Sequence, residues 1–327
     1  MHMRALYFFQ SMLDMTITKF SSFVICLAFC CLILTGCSPV TPNDRNTTAN
    51  GRPISAYGEP KITGRIKSKD INESSGLAVS RCQQDVLWTH NDSGSDPLVY
   101  AVNSKGESLG TWAVTGAKLT DWEDMSGVKD ESGRCFLYIG DIGNNSRTRS
   151  EFTVYRIAEP QIEPNSSSRK DPLATATAEV LKFSYPDFRH DAETLMVHPQ
   201  TGVIYVVTKR ISGPAAVYRI EPSFGGPLQQ AKKITDISVP AIPNGFLTGG
   251  DISPDGKRAV ACDYIGAYEL TLPDGAKDFD EIWTEKASVI ELGDREQGEA
   301  IAYGADGNSI FTTSEKKNSP IIEAKRK

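Results

Sequence analysis

Three features of the sequence predict an all-β chain folded as a five-bladed β-propeller. Short apolar segments begin beside an oxygen-bearing side chain five times, at Ser75, Glu123, Glu193, Thr248 and Glu299. Their separations are 48, 70, 55 and 51 residues, each close to one four-stranded unit with its loops. Between them run β-rich stretches punctuated by Gly, Asp and Pro, with Asp255-Gly256 and Asp306-Gly307 as hairpin turns.

Taken in order, the first unit has strands at 75–80, 86–89, 97–102 and 108–114. The second has 123–128, 135–140, 152–157 and 177–183, and the third 193–198, 203–208, 215–220 and 231–237. Strands at 249–253, 259–263, 267–272 and 281–290 make the fourth. The fifth unit supplies only 299–303, 308–313 and 320–324 before the chain ends. Residues 61–67 are therefore expected to pair with 320–324, closing the ring and covering a sheet edge. A sixth, degenerate unit inside 158–190 is the competing layout.

The N-terminus reads as a targeting segment. Lys19 precedes the apolar run Phe20 to Leu34, which leads into Leu34-Thr35-Gly36-Cys37. That string resembles the bacterial lipobox, whose Cys becomes the lipidated first residue; an ordinary secretory signal or an anchor helix is the alternative. Met15 serves equally as the start. Ser38 carries no inner-membrane retention signal, so the expected location is the bacterial outer membrane, reached through the lipid alone. The division is then signal peptide 1–36, lipidated tether 37–57, rich in Pro, Asn and Thr, and propeller 58–327.

Residues 1–36 carry two cations (Arg4, Lys19) and one anion (Asp14), which leaves 33 basic against 40 acidic residues, a net −7. Such a domain lacks the basic stripe that nucleic-acid binding requires. Of the seven cysteines, Cys82, Cys135 and Cys262 lie in the propeller. Cys82 and Cys135 occupy equivalent turns of consecutive units, and an oxidising compartment leaves a disulfide between them open. Cys262, in an apolar run, reads as a buried free thiol.

Propeller topology sorts these residues by face. Strands alternate in direction, so first strands start, and second strands end, at the same end of the ring. That end gathers His90-Asn-Asp-Ser-Gly94, Asp141-Ile-Gly-Asn-Asn145, Lys209-Arg210, Asp263-Tyr264 and Ser314-Glu-Lys316. Five side-chain oxygens converging there, three of them carboxylates, suit a hard cation such as calcium. The competing reading has each Glu capping backbone amides of the next unit. Zinc is disfavoured: no Cys/His cluster has its spacing, and His90, His190 and His198 are scattered. Lys209, Arg210, Arg147 and Arg149 are candidates to clamp a phosphate, and Asp92 or Asp141 to position a water. His90 reads as a hydrogen-bonded loop residue before an acid or base. Trp122 either stacks a ring or packs its strand, and Trp88 is core.

The layout resembles the calcium-activated nucleotidases, or calcium-dependent apyrases, five-bladed propellers with one Ser or Glu oxygen per blade around a calcium. Their order of Ser, Glu, Glu, Ser, Glu is similar to Ser75, Glu123, Glu193, Thr248, Glu299. Their Asp-Asp-Arg-Thr-Gly loop resembles Asn91-Asp92-Ser93-Gly94, their Pro-Arg-Arg Lys209-Arg210, and their Lys-Ser-Glu-Glu Ser314-Glu315. The resemblance implies calcium held by the five oxygens and hydrolysis of a phosphorylated molecule. Asn91 departs from it where the family places a carboxylate near the reacting water, and Thr248 replaces Ser while keeping the hydroxyl. Asp-Trp-Glu-Asp and Gly-Asp-Ile-Gly-Asn also resemble strings in uncharacterised envelope propellers.

Two functions follow. One is a calcium-dependent hydrolase of a phosphorylated small molecule, using Asp92, Asp141, Lys209 and Arg210. The other is a non-catalytic propeller binding an envelope glycan or protein.

Overall fold

The computed structural model describes residues 56–327 except 93, 95 and 164–166. The signal peptide, Cys37 and most of the tether lie outside the described residues.

Five antiparallel sheets form a five-bladed β-propeller, each with its innermost strand at Ser74–Val79, Trp122–Lys129, Ala192–Val197, Gly249–Ile252 or Ala300–Tyr303. Each innermost strand packs against the next around the ring, and the fifth packs back on the first. The closure is the one predicted: Lys61–Arg65 pairs antiparallel with Pro320–Lys325, with Arg65 opposite Pro320. The chain consequently enters this blade beside Arg326, bridged to Tyr57, at the end away from the first-strand starts.

The segment 158–190 holds no sixth blade among the described residues. Its outer strand, Glu179–Ser184, belongs to the second blade, and Leu173–Ala174 adds a short parallel edge to the first, with Leu173 opposite Trp112. The fourth blade differs from the sequence reading. Residues 279–284 form a short 3-10 helix and the outer strand is only Ser288–Glu291. Asp278 and Glu281 form a capping box that satisfies the first amides and nucleates that turn.

The core lies between adjacent blades, where Val, Ile, Leu and aromatic side chains of facing sheets interdigitate. Cys82 and Cys135 are joined by a disulfide, Cα atoms 6.1 Å apart, stapling the first blade to the second at the far face. Cys262 is a free buried thiol. Near the axis, polar groups lace the blades. The buried Asp124 carboxylate accepts from its own blade's Met125 N at 2.8 Å, Leu195 N at 2.9 Å and Gly250 N at 3.1 Å. Asp251 accepts from Tyr303 N and pairs with the buried Arg81 at 3.1 Å. These bonds fix the relative height of the innermost strands and so the positions of the side chains at their starts.

Candidate metal centre

At the mouth of the ring the second and third blades begin alike, with Asp121-Trp-Glu123 and Asp191-Ala-Glu193. In both strands the register shifts at the Glu, between Trp122 and Asp124 and between Ala192 and Thr194, and each Asp lies just before its strand. Oxygens of Asp92, Asp121 and Glu123 lie within 4.8 Å of one another, as do those of Glu123, Asp191 and Glu193. Glu123 belongs to both groups.

Glu123 is 4 % exposed, and its carboxylate makes no hydrogen bond within the described residues. Burial, then the charges of Glu193, Asp92, Asp121 and Asp191, push it well above the ordinary range. Gly143 closes over it: a Cβ there would fall 2.0 Å from Glu123 Oε1 and 2.4 Å from Asp121 Oδ2. A side chain at this position would push these carboxylates aside. A buried carboxylate without a donor is costly, and two ionised carboxylates within 4.8 Å repel by about 3 kcal/mol or more at an effective dielectric of ~20. An all-oxygen, all-anionic donor set of this kind fits a hard divalent cation.

Lys209 is the counter-charge beside the cluster. Its Nζ lies 2.5 Å from Glu193 Oε1. Burial alone would lower the ammonium's pKa, but the Glu193 charge and hydrogen bond outweigh it and hold it above the usual range. Burial raises Glu193 to about 7 against the pull of Lys209. The ammonium also lies 4.8 Å from the Phe246 ring centroid and 5.6 Å from that of Tyr264. Arg210 sits next along the chain, half-buried, its amide bonded to Gly245 O.

The other sequence candidates take varied places. Ser75 Oγ donates to Glu123 O at 2.5 Å, and Thr248 Oγ1 to Gly298 O at 3.0 Å, so both hydroxyls tie their blade to the next. Glu299 is outside both carboxylate groups. Burial, then hydrogen bonding to Glu315, push its carboxyl up to about 9. Asp141 is held 2.6 Å from Arg149 and accepts the amides of Thr120 and Asp121, so it shapes the loop that presents Asp121. Arg149 is thereby occupied, while Arg147 is exposed.

Asn91 has a structural use. Its Oδ1 accepts the amides of Asn72 and Glu73 and its Nδ2 donates to Asp70 O at 2.7 Å. His90 is buried on a second strand, its Nδ1 3.0 Å from Asn91 O, and burial lowers its pKa to about 4. Trp122 packs edge-on against His90 and gives its indole N–H to Lys118 O. Trp88 is core, bonded to Glu159. Asp121 and Asp191 were absent from the five-oxygen pattern. The signal for them was the repeated Asp-x-Glu at two strand starts.

No protein-family model matches the chain, and no curated protein matches it. Solved propellers show a distant similarity. A gluconolactonase from Xanthomonas campestris is 12 % identical, covering 81 % of this chain and 94 % of that one, with a TM-score of 0.42. A luciferin-regenerating enzyme is 8 % identical over 82 % of this chain and 95 % of its own, with a TM-score of 0.44. A putative gluconolactonase is 12 % identical over 82 % and 91 %, with a TM-score of 0.41. The resemblance to the nucleotidases stands as a distant propeller resemblance.

Proposed function

We propose that this chain is a calcium-binding propeller of the bacterial cell envelope, anchored through Cys37, that hydrolyses a phosphorylated small molecule. The observation that carries the reading is Glu123: the carboxylate of a buried residue, with no hydrogen-bond donor among the described residues, shared by two groups of three carboxylates. Asp92, Asp121, Glu123, Asp191 and Glu193 would hold the cation. Bound there, calcium supplies Lewis acidity toward phosphoryl oxygens and acidifies a coordinated water. Asp92, one of these ligands, would also orient that water. Lys209, freed as Glu193 turns to the cation, and Arg210 carry positive charge toward the developing negative charge on the phosphoryl group.

The second reading is a cation-rigidified propeller that binds an envelope glycan or protein without chemistry. It is favoured by the pairing of Lys209 with Glu193 and of Asp141 with Arg149, which neutralises two of the four candidate catalytic groups. Phosphate release from nucleotides and sugar phosphates, with calcium and then with chelator, separates the two. Turnover that stops on chelation supports the hydrolase. A protein whose melting temperature rises with calcium, yet releases no phosphate from any substrate, is the binding module.

A further inference from the structure

Among the described residues the four most exposed large apolar side chains are Ile242, Ile265, Ile211 and Phe188, between 60 % and 101 % exposed. All four sit on loops that the topology brings to the face carrying the carboxylates. Ile211 and Ile265 lie between second and third strands of the third and fourth blades, Phe188 and Ile242 between an outer strand and the next blade's first strand. Among the described residues the opposite end carries Leu228, 46 % exposed, between the third and outer strands of the third blade.

Three of these residues lie on loops that touch one another and flank Lys209. The Arg210 amide donates to Gly245 O, which lays the Ile211 loop on the loop carrying Ile242 and Phe246. A Cβ on Gly245 would fall 2.4 Å from Gly213 O, so the two loops are in tight contact. Phe246 meets Tyr264 edge-on at 5.0 Å, beside Ile265, and both rings flank the Lys209 ammonium that pairs with Glu193. Charge at the bottom thus passes through an aromatic pair to an isoleucine rim within one surface. Three isoleucines, 75 % to 101 % exposed, on neighbouring loops beside a polar site mark a contact with something apolar.

We infer that the substrate is an amphiphile: a phosphate ester whose phosphate meets the cation and whose alkyl or other apolar part lies on Ile211, Ile242 and Ile265. This rests on the phosphate reading given above. Hydroxyl-rich phosphates such as sugar phosphates would leave the rim in water, whereas an alkyl chain removes it.

The test is calorimetric titration of the calcium-loaded protein with methyl, butyl and hexyl phosphonate, which cannot be hydrolysed. Affinity should rise about two- to fourfold for each added methylene, the range set by partial to full burial. In the Ile211→Ser/Ile242→Ser/Ile265→Ser variant the ratio of hexyl to methyl affinity should fall to about one. Should the triple variant misfold, Ile265→Ser alone must reduce that ratio. Methyl phosphonate binding with no gain for hexyl overturns the inference and spares the phosphate site. No binding of any phosphonate, with calcium still raising the melting temperature, overturns both. Chain-length dependence kept by the variants would also overturn the assignment to this rim. The same headgroup could belong to a free molecule or a membrane lipid. Cosedimentation with phosphatidylcholine vesicles, with and without phosphatidic acid, assigns the source of an alkyl phosphate that binds.

Discussion

Replacing Glu123 by Gln is expected to stabilise the cation-free protein while removing its response to calcium. Glu123 shares 4.8 Å groups with Asp92 and Asp121 on one side and Asp191 and Glu193 on the other. At an effective dielectric of ~20 each such ionised pair repels by about 3 kcal/mol. Lys209 beside Glu193, and proton uptake by the raised carboxyls, reduce that sum. A net gain of roughly 1–3 kcal/mol remains for the neutral amide. In a domain of this size each kcal/mol moves the melting temperature by about 2–4 °C. Calcium at ~100 times its Kd should in turn stabilise the wild type by about 2.7 kcal/mol, and the variant by little. Thermal melts near pH 9 in chelator and in calcium read both effects, since more of the carboxyls are then ionised. A variant that melts lower than wild type in chelator and keeps the full calcium response would refute the reasoning. Glu123 would then be bonding the fold rather than awaiting a cation.

Cation-free stability should also fall with rising pH. Glu193 and Glu299 have folded values near 7 and 9, above the ordinary 4.5, so the fold favours their protonated forms. That contribution is full below about pH 4.5 and is lost as pH rises through 7 and then 9; denaturant midpoints in chelator measure it, and a flat profile counts against it. Gly143→Ala should abolish the calcium-induced rise in melting temperature, because its Cβ would meet Glu123 Oε1 at 2.0 Å. Asn91→Asp should cost about 1–3 kcal/mol by urea melts, since a carboxylate cannot donate to Asp70 O; an unchanged midpoint would return Asn91 to the active site. The Cys82→Ser/Cys135→Ser double variant opens a link spanning 53 residues and should lose at most about 4 kcal/mol. An equal midpoint under reducing and oxidising conditions would show that the link carries no stability.

Much of this was legible in the chain. Five first strands at propeller spacing, and a last unit one strand short, dictated five blades closed by residues 61–65, because an unpaired edge must find a partner. The helical turn at 279–284 escaped the strand reading, although Asp278 and Glu281 spell its cap, because the apolar Phe279, Ile282 and Trp283 fit either period in so short a run. Repetition likewise gave the face on which Glu123 and Glu193 sit, since strand direction alternates whatever the side chains are.

What the sequence could not express is distance across blades. Asp92 read as a water-positioning group and Asp121 and Asp191 drew no reading, and only packing of the second blade between its neighbours brings them to Glu123. Lys209 read either as a phosphate clamp or as the counter-charge of Glu193, and folding placed Glu193 2.5 Å away; Asp141 looked catalytic until Arg149 claimed it. Local pattern fixes which end of a strand a residue occupies, because alternation and turn chemistry act within a few residues. Whether a carboxylate there meets a guanidinium, an amide or another carboxylate is settled by side chains up to a hundred residues away, brought together by blade-to-blade packing.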